Sequence, residues 1–172
     1  MKRFIPALTA MLVLVLSPTT ASAVGRTTIN GGGTGTFNAD LDNDGDIDGS
    51  HFGLGVTVLG GGEARGHFGC LMAGNADILG LPLMAVEGNV TSGSATAASA
   101  TFGGIATVNL GNGTIFRGVP FAVTVTPGKA GVGTLQLTVI GAFDGVPGDT
   151  SPGNGNYDLP KETVASGQID MH

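Results

Sequence analysis

From Phe52 onward this chain places its apolar residues on alternate positions, and a period of two admits strands while excluding amphipathic helices. In "HFGLGVTVL", Phe52, Leu54, Val56 and Val58 share one face. In "GEARGHFGCLM", Ala64, Gly66, Phe68, Cys70 and Met72 share one face, and Glu63, Arg65 and His67 take the other. Between the two runs stand Gly60, Gly61 and Gly62, residues that tolerate the reversed backbone angles of a tight hairpin. The two runs are therefore expected to pair antiparallel.

The same alternation continues to the last residue. Met84, Val86 and Val90 fall together in "LPLMAVEGNV", and the run ending at Phe102 breaks at Gly103–Gly104 before Ala106, Val108 and Leu110 resume it. That break predicts a bulge or tight bend. Phe121, Val123 and Val125 follow, then Leu135, Leu137 and Val139, and finally Ile169 and Met171 in "ASGQIDMH". Helix-capping signals and 3.6-residue periods are missing after the leader. The pattern predicts an all-β domain, a small antiparallel β-barrel of six to eight strands, with a sandwich as the alternative. Inward glycines at Gly66, Gly88 and Gly167 favour the tighter curvature of a barrel. With 32 glycines, no tryptophan and one tyrosine, small side chains are expected to fill much of the interior.

Residues 1–23 read as a secretory signal peptide. Lys2 and Arg3 precede an apolar run to Leu16, and "ASA" closes at Ala23; the run is too short to span a bilayer. The remainder, 24–172, has the length of a single domain. It holds five basic residues against thirteen acidic ones, a formal charge of −8. That charge excludes a nucleic-acid partner, whose phosphates need basic contacts. A secreted chain would ordinarily use disulfides, but Cys70 is alone, so another brace is needed.

The stretch "DLDNDGDID" supplies a candidate brace. Asp40, Asp42, Asp44, Asp46 and Asp48 occupy positions one, three, five, seven and nine of a loop with Gly45 at position six and Ile47 at position eight. Closely spaced carboxylates repel, and no lysine or arginine lies within ten residues on either side. Hard oxygen donors suit calcium, not zinc. The pattern is similar to the D-x-D-x-D-G loops of EF-hands, dockerins and thrombospondin type 3 repeats. It departs from them at position twelve, which is His51 and not a bidentate glutamate, and in its strand-like flanks. Asp46 stands where such loops use a main-chain carbonyl, and a further oxygen must come from elsewhere. The plainer alternative is a solvated acidic turn that guards an edge strand.

A second loop, "FDGVPGDTSPGNGNYDLP", carries Asp144, Asp149, Asn154, Asn156 and Asp158. It reads as a turn-rich connection first and a second metal loop, or donor to the first, only after that. Glu63, Arg65 and His67 form a row of mixed charge, the ordinary content of an exposed strand face. No nucleophile elbow or oriented histidine accompanies them, so catalytic residues are not expected. Cys70 alternates inward as a small apolar residue. "GGGTGTF" lacks the helix that a phosphate loop requires. Asn89 and Asn112 begin N-x-T sequons.

The order of "GGGTGTF", "GEARGHF", "VEGNV", "ATFGGIATV", "PFAVTVT", "GTLQLTVI" and "ASGQIDMH" resembles the post-COAP domain, a six-stranded β-barrel of secreted bacterial proteins. The resemblance implies a barrel in an extracellular bacterial setting and supplies no active site. The chain departs from it in the acidic insertion at 40–49 and the long loop near 144–160. The expected function is a secreted, non-enzymatic, calcium-binding module serving a surface, matrix or adhesive role. Its expected partner is an extracellular protein or polysaccharide. A barrel carrying a small ligand is the alternative, and a hydrolase built on the Glu63–His67 face stands well behind both.

Overall fold

The alternating runs become strands, and the strands join edge to edge until the sheet meets itself. A computed structural model of the chain describes residues 25–38, 48–78 and 81–172, apart from the side chains at 73–83. In chain order the strands are β1 (Thr27–Thr36), β2 (Gly49–Val58), β3 (Glu63–Ile78), β4 (Leu81–Ala95) and β5 (Ala100–Asn109). They continue as β6 (Ile115–Thr126), β7 (Gly128–Lys129), β8 (Thr134–Val139), β9 (Tyr157–Asp158) and β10 (Glu162–Met171). Neighbours run β7-β10-β1-β2-β3-β4-β5-β6-β8-β9, and an additional pairing of β10 with β8 closes eight of them into a ring. All the pairings are antiparallel. The closing seam is short: Glu162 faces Leu135 and Thr163 faces Thr134. Where β10 meets β1, Thr28 and His172 exchange two backbone hydrogen bonds of 2.8 and 2.9 Å.

The predicted hairpin is present, with β2 and β3 paired from Val58–Ala64 to His51–Leu71 and a 3-10 turn at Gly60–Gly62 between them. No helix among the described residues is long and apolar enough to cross a membrane. The residues expected to face inward on β2, β6 and β8 are buried.

The interior is less small-residued than composition suggested. Phe68 stacks on Phe121 with centroids 5.7 Å apart and meets Phe102 edge-on at 6.1 Å. Such ring pairs add about 0.5–1.5 kcal/mol each beyond the burial of their area. Gly88 makes the central stack possible, because a Cβ there would strike the Phe121 ring. An eight-stranded barrel has an interior just wide enough for side chains to fill.

The irregularity expected at Gly103–Gly104 is present, and its extra residue lies on the partner strand: Val90 pairs Gly104 and Ser92 pairs Gly103, leaving Thr91 of β4 over. A Cβ at Gly104 would strike the Asn89 carbonyl, so β4 approaches closely beside the bulge. The last strand begins earlier than "ASGQIDMH", at Glu162, and its first residues close the barrel.

Candidate functional site

The polar interior lies at one end of the ring, where β1 is flanked by β2 and β10. Thr36 pairs with Gly49 on one side and Thr163 on the other, and Gly35 pairs with Ser50 and Val164. One step further, the Phe37 N–H donates to the Asp48 carbonyl at 2.8 Å. Directly opposed residues share a face of an antiparallel sheet. Asp48, Ser50 and Glu162 therefore point inward with Phe37 and Val164, and their exposures of 0, 5 and 1% agree.

Strands β2 and β10 are separated by β1, roughly 10 Å at the usual strand spacing. The Glu162 side chain nevertheless reaches β2, where the Ser50 hydroxyl donates to its Oε2 at 2.6 Å. Gly35 leaves the path open; a Cβ at that position would collide with the Glu162 carboxylate and with its Cβ. The carboxyl thus lies over β1 on the inner face, beside the strand that Asp48 leads into. Its second oxygen, Oε1, is buried and has no hydrogen-bond partner among the described residues.

Burial raises the Glu162 pKa from 4.5 to about 7, and the Ser50 hydrogen bond offsets part of that rise. Cys70, on the neighbouring inward position of β3, is pushed up to about 12. Burial is the main cause, the Glu162 charge adds to it, and a hydrogen bond with Ser50 pulls the other way. A thiol held this firmly protonated is no nucleophile.

Of the expected metal ligands, Asp40, Asp42, Asp44 and Asp46 lie outside the described residues. Asp48 is described and wholly buried. His51, the twelfth position of the expected loop, is exposed on the outer face and is not brought together with Asp48. Glu63, Arg65 and His67 are likewise exposed on the outside. His67 borders a shallow surface groove with Glu87, Asn89, Thr107 and Arg117.

The second acidic loop braces itself. Asp144 accepts the N–H groups of Gly153 and Gly155 at 2.6 and 3.0 Å, while Asp149 accepts those of Gly145, Ser151 and Asp158. The Gly145 N–H, followed by that of Ser151, holds the Asp149 carboxyl below its ordinary value. Asp158 takes the Thr138 hydroxyl at 2.7 Å and the Asn154 amide at 2.6 Å. Carboxylates engaged in this way act as turn-makers, the first of the two sequence readings.

Glu162 is the site residue that the sequence reading missed. One signal was there: in "ETVASG" it keeps step with Val164, so an acid stands at an inward position. No protein-family model, no curated protein and no solved structure matches this chain.

Proposed function

We propose that this chain is a secreted, non-enzymatic β-barrel module whose end is fixed by a calcium ion. The ion would be held by oxygens from Asp40, Asp42, Asp44, Asp46 and Asp48, and the module would serve as a surface, matrix or adhesion accessory. One observation carries the reading. The Phe37–Asp48 hydrogen bond joins the two ends of the aspartate-bearing stretch, so five acidic residues fall within a segment pinned at both ends. Like charges a few ångströms apart repel by about 1 kcal/mol even in water, and more beside a protein surface. A divalent cation reverses the sign of that interaction. The donors are all hard oxygen, which suits calcium.

A bound ion stabilises the folded chain by linkage, about 2.7 kcal/mol at a hundredfold excess over its Kd. The secretory leader read at residues 1–23 supports the extracellular setting. Partners consistent with the acidic surface are extracellular proteins or polysaccharides. An interior ligand has no observation in its favour, since the rings of Phe68, Phe102 and Phe121 meet inside the barrel.

Thermal unfolding in calcium and in chelator tests the reading. The midpoint should rise by several degrees with calcium, and the double substitution Asp42→Ala, Asp44→Ala should remove the difference. Equal midpoints for the parent chain in calcium and chelator would overturn it.

A further inference from the structure

We propose that Asn112, at the tip of the β5–β6 hairpin, is a site of spontaneous self-modification, in which its side-chain amide is lost to give aspartate or isoaspartate. The chemistry needs no enzyme. The Gly113 nitrogen attacks the Asn112 side-chain carbonyl carbon and gives up its proton to water, and ammonia leaves as the C–Nδ2 bond breaks. Water then opens the resulting five-membered imide at either carbonyl. Opening at the side-chain carbonyl gives aspartate, and opening at the main-chain carbonyl gives isoaspartate; nothing is oxidised or reduced.

Three asparagines of the chain precede glycine, whose missing side chain best admits this ring closure: Asn30, Asn112 and Asn154. The fold leaves one of them unhindered. Asn30 lies in β1, paired to Gly55 on one side and Asp170 on the other, and a Cβ at Gly31 would press on the Gln168 carbonyl at 3.0 Å. That peptide cannot pivot while the sheet holds. Both turn asparagines accept a main-chain N–H on Oδ1, Asn112 from Thr114 at 2.9 Å and Asn154 from Asn156 at 2.8 Å. Such a donor sits where negative charge develops as the ring closes. In Asn154 the other two reacting atoms are held: Nδ2 donates to Asp158 at 2.6 Å, and the Gly155 N–H that would attack is given to Asp144 at 3.0 Å. At Asn112 neither nitrogen has a hydrogen-bond partner among the described residues, the side chain is exposed, and the space around Gly113 is open for 4 Å.

The aspartate product keeps its turn, because a carboxylate still accepts the Thr114 N–H. One row of pairs, through Thr34, His51, Leu71, Ala85 and Asn109, sets the hairpin tip at the end of the ring where Asp48 lies. An ageing chain therefore gains negative charge at its acidic end without unfolding.

Incubation of the full chain in mildly alkaline buffer, followed by trypsin and mass spectrometry with fragmentation, tests this. Cleavage after Arg26, Arg65, Arg117, Lys129 and Lys161 puts the three asparagines on separate peptides. Conversion at Asn112 should outrun that at Asn30 and Asn154 by at least about tenfold, since each of those must first break a hydrogen bond. The three rates should converge in guanidinium chloride, where the fold no longer discriminates, and Asp144→Ala should quicken conversion at Asn154. Asn112→Asp should melt at the parent's temperature. Equal rates at the three positions in the folded chain, or a faster rate at Asn30 or Asn154, overturns the proposal. So does an Asn112 that converts in guanidinium chloride but not in the folded chain.

Discussion

Ser50 and Glu162, 112 residues apart in sequence, share a 2.6 Å hydrogen bond inside the barrel, and the glycine between their strands is what lets them meet. The acid belongs to the strand that closes the ring, the serine to the strand that follows the aspartate-bearing stretch.

Glu162 makes stability depend on pH when calcium is chelated. Its pKa rises from 4.5 to about 7 on folding, mainly through burial. The folded chain therefore holds this proton where the unfolded chain has released it. The resulting stability is complete below pH 4.5 and is lost as pH rises through about 7. Glu162→Gln has no proton to lose. Melting in chelator from pH 4.5 to 8 should show the variant gaining on the parent, by about 3 kcal/mol at the alkaline end. A pH-independent gap between the two would refute the assignment.

Two glycines are predicted to resist the smallest possible enlargement. In Gly35→Ala the new methyl meets the Glu162 carboxylate, and in Gly88→Ala it meets the Phe121 ring. Each should lower stability by about 1–3 kcal/mol. Urea unfolding should show an earlier midpoint with an unchanged slope. Gly53→Ala, where nothing lies within 4 Å of the added methyl, is the comparison and should move the midpoint far less.

Cys70 should be silent to alkylation. Its thiol is buried and held at about 12, so iodoacetamide at pH 8 finds almost no thiolate in the folded chain. Labelling should proceed only as fast as the barrel opens and become complete in denaturant. Rapid labelling under native conditions would contradict its burial.

Asp144 is predicted to matter to its own loop and to nothing else. Asp144→Ala removes the acceptor for two backbone amides, at Gly153 and Gly155. Hydrogen exchange at those amides should quicken, and proteases should nick the loop sooner. The calcium titration curve should stay where it is.

How much of this was legible in the sequence follows from where side chains carry the signal. The β2–β3 hairpin could be read because Phe52 to Val58 and Ala64 to Met72 alternate without interruption. Strand β1 could not be read from period: "TTINGGGTGT" offers one apolar residue, Ile29, and the strand exists because β2 and β10 supply partners on both edges. The bulge could be read at Gly103–Gly104 because glycines mark a bend readily, but not which strand carries its extra residue, since Thr91 opposite them is an ordinary threonine. Composition made the interior look small-residued. The phenylalanines are few but are concentrated inside, where a count over the whole chain hides them. Glu162 was passed over because Lys161 and Thr163 beside it make the segment read as polar loop, and only the pairing with Leu135 shows that it closes the ring.

The hydrogen bonds between Thr28 and His172 have a mechanical consequence. Tension applied at these two positions would draw β1 and β10 apart sideways, loading their pairs one at a time as in a zipper and never together as in shear. The separation would travel from Thr28 toward Thr36 and arrive last at Thr163 and Glu162. The last pairs to part would lie beside Ser50 and Glu162, so the inner hydrogen bond between these two side chains would be the final tie across β1.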